Sequence, residues 1–268
     1  HDVPCQPIQT REEFLLSDLA EANSVIETIG HPELGQVSMP TQPLHLELCP
    51  AEMMLPAPAL GANTDEVLQE QHDPGQGSGQ GGQPLAGIRA VDLASFIAGP
   101  VITRHLAMLG ADVIKVEPEA GDPFRTFSPM FNGWNQGKRG VVLDLKEEAG
   151  REFLYKIVAT SDVVVENFRP GVAERLGCSQ NDLRSVSEDL VMVKSPGYGF
   201  DESRADQPAF DPLLQALGGM MSAQGGDGDP VFLTVPVHDA ATPIIAAFGV
   251  VTALYHRKCT GEAQTVYT

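Results

Sequence analysis

His238-Asp239 follows a β-branched run, Thr234, Val235 and Val237, and precedes a long uncharged segment, Ile244 to Tyr255. An Asp at a strand-to-helix turn can cap the helix. The lesser reading is a catalytic role, for a carboxylate close to the positive end of a helix dipole. Spacing alone favours the cap, and a lone His238 beside it reads as structural more readily than as a ligand. Only 17 Lys and Arg occur in 268 residues, so their placement is informative. Lys138-Arg139, Arg169 and Arg175 fall in or next to loops at predicted sheet ends, where they can hold phosphates. Taken singly, each reads more readily as a solvated surface charge.

Other chemistries lack their residues. The turn after the first apolar strand reads Ala94-Ser95-Phe96-Ile97-Ala98-Gly99-Pro100, without a GxGxxG. Neither GxxxxGK[ST] nor GxSxG occurs, so dinucleotide, P-loop and serine-hydrolase readings are unsupported. Cys5, Cys49, Cys178 and Cys259 are scattered and the His residues unspaced, so neither a metal site nor a disulfide framework is expected. Reduced thiols of this kind predict a cytoplasmic protein. A net charge of −19 argues against a nucleic-acid or anionic membrane surface, though it allows a local basic pocket. The apolar run around Ala240 to Tyr255 is short for a membrane span. With 42% hydrophobic and 20% charged residues, the composition is that of a soluble globular enzyme.

The elements that must position these residues fall into two blocks. In block 1–71, Arg11 to Ala22 predicts one amphipathic helix, capped by Thr10 with Glu13 completing a capping box. Val25 to Ile29 and Gly35 to Met39 predict short strands around a turn, and Thr64 to Leu68 a short helix. Residues 72–84, rich in Gly, Ser and Gln, read as a linker. From Leu85 the pattern alternates. Strands are predicted at Ile88–Leu93, Asp112–Val116, Val141–Leu145, Asp162–Asn167, Leu190–Lys194 and Thr265–Tyr267. Helices are predicted from Gly99 to Leu109, Glu147 to Ala159, Gly171 to Leu176 and Asn181 to Val186. A further helix, starting at Thr242-Pro243, has apolar residues on every face and is expected to be buried. Such alternation predicts an α/β fold, a Rossmann-like open parallel sheet with helices on both faces, plus a small α+β N-terminal block. Ligands of such sheets bind beyond the carboxyl ends of the strands. The first residue is His1 and the chain stops in a strand, so it reads as a fragment of a longer protein.

Residues 85–268 resemble the N-terminal half of class III (CaiB/BaiF, formyl-CoA transferase-like) CoA-transferases. The resemblance is carried by many ordered stretches, among them LAGIRAVDL from Leu85, LGADVIKVE from Leu109, Gly137-Lys138-Arg139, DVVVENFRPG from Asp162, Arg175-Leu176-Gly177 and Asp239. HPELGQVSMP from His31 and PAPALGANTDEVL from Pro56 resemble the C-terminal tail of the same family. The chain thus resembles the tail of one unit (1–71), a linker (72–84) and the large-domain half of a second unit (85–268) in a tandem fusion.

The resemblance implies transfer of coenzyme A from an acyl-CoA donor to a carboxylic acid acceptor, with no metal. It makes Asp239 the nucleophile, through an aspartyl anhydride and an aspartyl-CoA thioester. Phe96, Ile97, Leu143, Asn167, Phe168 and Arg175 match CoA-contact positions. It also implies a homodimer or an intrachain pseudo-dimer of two units. Two departures are Pro118 and Pro208, where some members carry Arg and Lys. Two alternatives are an α-methylacyl-CoA racemase-like isomerase and a non-catalytic scaffold unit. The racemases place a His before an Asp where this chain has Phe210-Asp211, so one of two bases is missing.

Overall fold

Thr10 and Glu13 close the predicted capping box at the start of α1 (Arg11–Leu15). The computed structural model describes residues 9–41, 46, 55–70, 82–200, 202–204 and 207–268. Residues 72–81 of the Gly-rich stretch lie outside these. The single helix expected over 11–22 is two, because the Ser17 hydroxyl accepts from Ala20 N at 3.2 Å and starts α2 (Asp18–Ala22) afresh. A hairpin of β1 (Ile26–His31) and β2 (Gly35–Pro40) follows, antiparallel with Ile29 opposite Val37. The first block ends in α3 (Thr64–Gln69).

The alternating part runs β3 (Arg89–Asp92), α4 (Ala98–Met108), β4 (Asp112–Glu117), α5 (Ser128–Trp134), β5 (Lys138–Val142), α6 (Glu148–Val158) and β6 (Val163–Glu166). It continues through α7 (Val172–Leu176), α8 (Gln180–Val186), β7 (Val191–Lys194), α9 (Asp211–Leu217), α10 (Met220–Gly225), α11 (Val237–Thr260) and β8 (Thr265–Tyr267). The six strands β3 to β8 form one parallel sheet in the order β5-β4-β3-β6-β7-β8. This is the Rossmann-like sheet the alternation predicts. The order reverses between β3 and β6, which opens a crevice beyond their carboxyl ends.

Alternate strand residues enter two cores. Val163 and Val165 of β6 pack with Ile102 and Leu106 of α4 and with Ala246 and Val250 of α11. Val164 packs on the other face with Leu154 and Val158 of α6 and Leu183 of α8. Burial on both faces explains why these strands are apolar throughout.

Residues 55–70 cover the β5 edge. Asn63 N donates to Gly140 O at 2.8 Å, and Gly140 N donates to Asn63 Oδ1 at 3.0 Å. Thr64 Oγ1 accepts from Val142 N at 3.1 Å, and Val67 joins the α6-side core. The strand groups that would otherwise be left unpaired are thereby satisfied.

Three further expectations differ from the structure. First, β5 covers Lys138–Val142, three residues earlier than Val141–Leu145, because Lys138 and Arg139 find carboxylates in the fold. Second, no strand forms over Thr234, Val235 and Val237. Gln215 takes the backbone instead: its Oε1 accepts from Leu233 N, and its Nε2 donates to Leu233 O, both at 3.1 Å. Third, α11 begins at Val237, so Pro243 lies inside it, and its burial is one-sided. Ala246, Val250 and Ala253 are buried, while Ile244, Ile245, Phe248 and Tyr255 are exposed. At 24 residues this helix is long and apolar enough, by length and composition, to cross a membrane, which the shorter run read from sequence was not.

Candidate active site

A cavity of about 750 Å³ occupies the crevice where the strand order reverses. Its walls come from Ser95–Ile97 after β3, Asn167–Pro170 after β6, Ser195–Gly199 after β7 and Phe210-Asp211 at the start of α9. His238, Asp239 and Thr242 enter it from the first turns of α11.

Asp239 is the third residue of α11, yet it is not the cap. Asp211, buried, takes that role from 27 residues earlier. One of its oxygens accepts from His238 N at 2.6 Å and from Asp239 N at 3.3 Å. Its other oxygen accepts from the buried Gln215 amide. The Asp239 carboxylate has no hydrogen bond among the described residues. Partial burial, then the Asp211 charge, push its carboxyl up to about 6, with His238 pulling the other way. At neutral pH it is therefore ionised, unpaired and next to open space, which is the state a carboxylate nucleophile requires.

A folded-state value above the unfolded 3.8 means that Asp239 favours folding only when protonated. That contribution is present below about pH 4 and lost as pH rises through about 6. Asp239→Asn is expected to raise stability by about 1 kcal/mol at pH 7.5, after allowing for partial solvent screening. The gain should vanish near pH 4. Urea unfolding at the two pH values checks this, and a loss of stability at pH 7.5 would contradict it.

The β3 turn is held from beneath by buried ion pairs. Lys138 Nζ donates to Asp92 Oδ2 at 2.7 Å, Pro100 O at 2.8 Å and Asn135 Oδ1 at 2.8 Å. Lys115 Nζ donates to Ala94 O at 2.9 Å and pairs with Asp122 at 3.0 Å. Asp122 Oδ1 in turn accepts from Phe96 N at 3.3 Å. These contacts hold Phe96 at φ 65°, a left-handed conformation that a bulky side chain rarely takes. The Phe96 ring then meets Phe124 and Phe210 edge-on, with centroids 6.1 and 6.0 Å apart.

Gly99 lets α4 start against this turn. A Cβ there would lie 2.2 Å from Ala94 Cβ and 3.1 Å from Asn167 Cγ. Gly99→Ala should cost about 1–3 kcal/mol through overpacking. Urea unfolding would read this, and an unchanged midpoint would contradict the packing described.

A family model for CoA-transferase family III matches residues 1–64 and 85–268. The chain belongs to CoA-transferase family III. Among relatives of that kind, the succinyl-CoA:mesaconate CoA-transferase of Haloarcula hispanica is 38% identical over 201 residues, covering 69% of this chain and 51% of that protein. The formyl-CoA:oxalate CoA-transferase of Streptomyces avermitilis is 38% identical over 191 residues, covering 68% and 46%. The crystal structure of a CaiB/BaiF family protein from Brucella suis matches with a TM-score of 0.65 at 32% identity, covering 69% of this chain and 52% of that one. The chain spans about half the length of the curated relatives it matches.

Within this CoA-transferase fold, Phe96, Ile97, Asn167, Phe168, Arg175 and Asp239 all line the one cavity. Leu143 does not: it is buried in the core with Leu154 and Ile157, because it follows β5 on the α6 side of the sheet. The Asn167 amide is already engaged, accepting from Ser95 N at 3.0 Å and donating to Ser95 O at 2.9 Å, so it shapes the β3 turn. Lys138 and Arg139 are corrected as phosphate holders. Lys138 is buried on Asp92, and Arg139 pairs with Asp112 at 2.6 Å, Glu66 at 2.9 Å and Glu70 at 3.0 Å. Arg169 and Arg175 line the cavity with no ion pair among the described residues.

Sequence reasoning did not single out Asp211 as the α11 cap, nor Arg204 and Thr242 as cavity residues. The Asp211 cap is a contact across 27 residues, which no local pattern displays. Among the described residues, no three His, Cys, Asp or Glu side chains gather as a metal site needs.

Proposed function

We propose that this chain forms the acyl-CoA site of an enzyme that moves coenzyme A from an acyl-CoA donor to a carboxylate acceptor, with Asp239 as nucleophile. The observation that carries the reading is the uncapped Asp239 carboxylate at the cavity wall, freed because Asp211 takes the helix N–H groups. An Asp239 oxygen attacks the donor thioester carbonyl, the C–S bond breaks and CoA leaves as thiolate, giving a mixed anhydride. The thiolate attacks the Asp239 carbonyl carbon and expels the donor acid, leaving an aspartyl-CoA thioester. The acceptor carboxylate attacks that thioester and releases the thiolate again. The thiolate then attacks the acceptor's acyl carbon, forming the new acyl-CoA and freeing Asp239. Each step exchanges one activated acyl bond for another, so no ATP is needed.

Arg169 and Arg175 supply cations for the CoA phosphates, while Phe96, Ile97 and Phe168 supply apolar contact. Two of the proteins named above are CoA-transferases by name, one for succinyl-CoA and mesaconate and one for formyl-CoA and oxalate, which supports this reading.

Residues 1–71 are read as the tail of one unit and 85–268 as the large-domain half of the next, joined by 72–84. The two separately matched stretches support this. On this reading the longer protein is cytoplasmic and works as a homodimer or as an intrachain pseudo-dimer.

The test is a transfer assay on the full-length protein, with donor acyl-CoAs crossed against carboxylate acceptors in deuterated water. Acceptor-CoA formation without α-deuterium uptake is expected. Deuterium uptake without transfer would favour the isomerase, and neither would make this unit a scaffold. The rate should rise with pH through about 6 as Asp239 ionises, and Asp211→Asn should move that midpoint down by removing a neighbouring charge.

A further inference from the structure

Gln215 is fully buried, and among the described residues its carboxamide bonds only to groups that lead to Asp239. On one side its Nε2 donates to Asp211 Oδ1. On the other it meets the backbone that enters α11. Nε2 donates to Leu233 O at 3.1 Å and Val235 O at 3.4 Å, and Oε1 accepts from Leu233 N at 3.1 Å. Asp211 and Gln215 lie one turn apart on α9 and so share a face of that helix.

With one oxygen fixed by Gln215, the Asp211 carboxylate turns its other oxygen to His238 N and Asp239 N, at 2.6 and 3.3 Å. One carboxamide thus sets both the path of residues 233–235 and the orientation of the group that caps α11. The helix has no local substitute, since Pro236 at its N-cap offers no side-chain cap bond. A buried polar network with its partners in place specifies one arrangement of the chain around it. Gln215 is not among the residues lining the cavity, so it can act on the reaction only through Asp211 and the backbone. A shift of about 1 Å at a reacting group is enough to cost 10²-fold in rate.

We infer that Gln215 is a positioning residue for CoA transfer, clamping α9 to segment 233–239 so that the Asp239 carboxylate is held ready to attack. This rests on the transferase reading of the cavity. The clamp governs the rate of attack and leaves affinity for CoA largely untouched.

The test uses the full-length protein at pH 8, above the Asp239 midpoint, with formyl-, acetyl-, butyryl-, succinyl- and phenylacetyl-CoA as donors. Gln215→Glu leaves an acceptor facing an acceptor, and Asp211→Asn leaves a donor facing a donor. Asp211→Asn/Gln215→Glu restores a donor facing an acceptor. Titration with free CoA counts the folded sites, and hydroxylamine trapping at saturating donor reads the rate of Asp239 acylation per site. Each single variant should acylate roughly 10²-fold more slowly, with a Kd for CoA within about 3-fold of the parent. The double variant should acylate about 10-fold or more faster than the product of the two single effects. An unchanged rate per site in Gln215→Glu, or simply multiplicative effects in the double variant, would overturn the inference. So would CoA affinity falling in step with the rate or lost altogether, since a merely structural contact loosens the whole cavity. A parent protein that none of the donors acylates would overturn the transferase reading and this inference with it.

Discussion

Asp239→Ala and Asp239→Asn in the full-length protein are each expected to lower CoA transfer through this unit by roughly 10³-fold or more. Neither side chain can form an anhydride or a thioester, so the loss falls on the chemical step and appears in kcat. The structure sharpens the expectation. Because Asp211 caps α11, removing the Asp239 carboxylate deletes no capping hydrogen bond. Asp239→Asn should therefore fold, and at neutral pH fold more stably, while losing activity. An ordinary cap would behave oppositely, with activity retained and stability reduced by about 1 kcal/mol. Parallel kinetics and urea unfolding separate the two cases.

Lys138→Met is expected to destabilise the chain by about 3–5 kcal/mol, the usual cost of leaving one partner of a buried ion pair unmatched. Lys138 and Asp92 both have fully buried side chains, and the lysine also holds Pro100 and Asn135. Burial alone would push the Asp92 carboxyl up, and Lys138 with Lys115 and two side-chain hydrogen bonds brings it below the ordinary carboxylate range. Without Lys138 its folded-state value rises, so the deficit should grow as pH increases above about 4 and shrink in acid. Removing both charges in Asp92→Leu/Lys138→Met should recover much of the loss, since a buried pair replaced by apolar residues is often neutral. Urea unfolding of both variants at pH 5 and pH 8 checks this. A single variant as stable as the parent would contradict the buried pair.

The sheet was legible because its strands are short apolar runs set between helices. Val163, Val164 and Val165 announce a strand covered on both faces without reference to the rest of the chain. The first block was partly legible for the same reason, since the Thr10 box is a contact across three residues. What failed was non-local. Lys138 beside Arg139 looks solvated until Asp92, 46 residues away, places a carboxylate beneath it. The start of α11 was set at Thr242-Pro243 because the cap that starts it at Val237 is Asp211. The strand expected before it is displaced by Gln215, whose side chain bonds the same backbone. For the site, the seven residues came from the family resemblance, and six of them line one cavity. That Asp239 is free of capping, and that the Asn167 amide is not free, depends on contacts made only in the folded chain.

A nucleophilic Asp239 must become covalently acylated during transfer. The most direct test incubates the full-length protein with a panel of acyl-CoAs, traps with hydroxylamine or borohydride, and locates the modified residue by mass spectrometry. An aspartyl hydroxamate, or the reduced aspartyl side chain, is expected at Asp239, dependent on acyl-CoA and absent from Asp239→Ala. An unmodified Asp239 in a protein that still transfers CoA through this unit would contradict it.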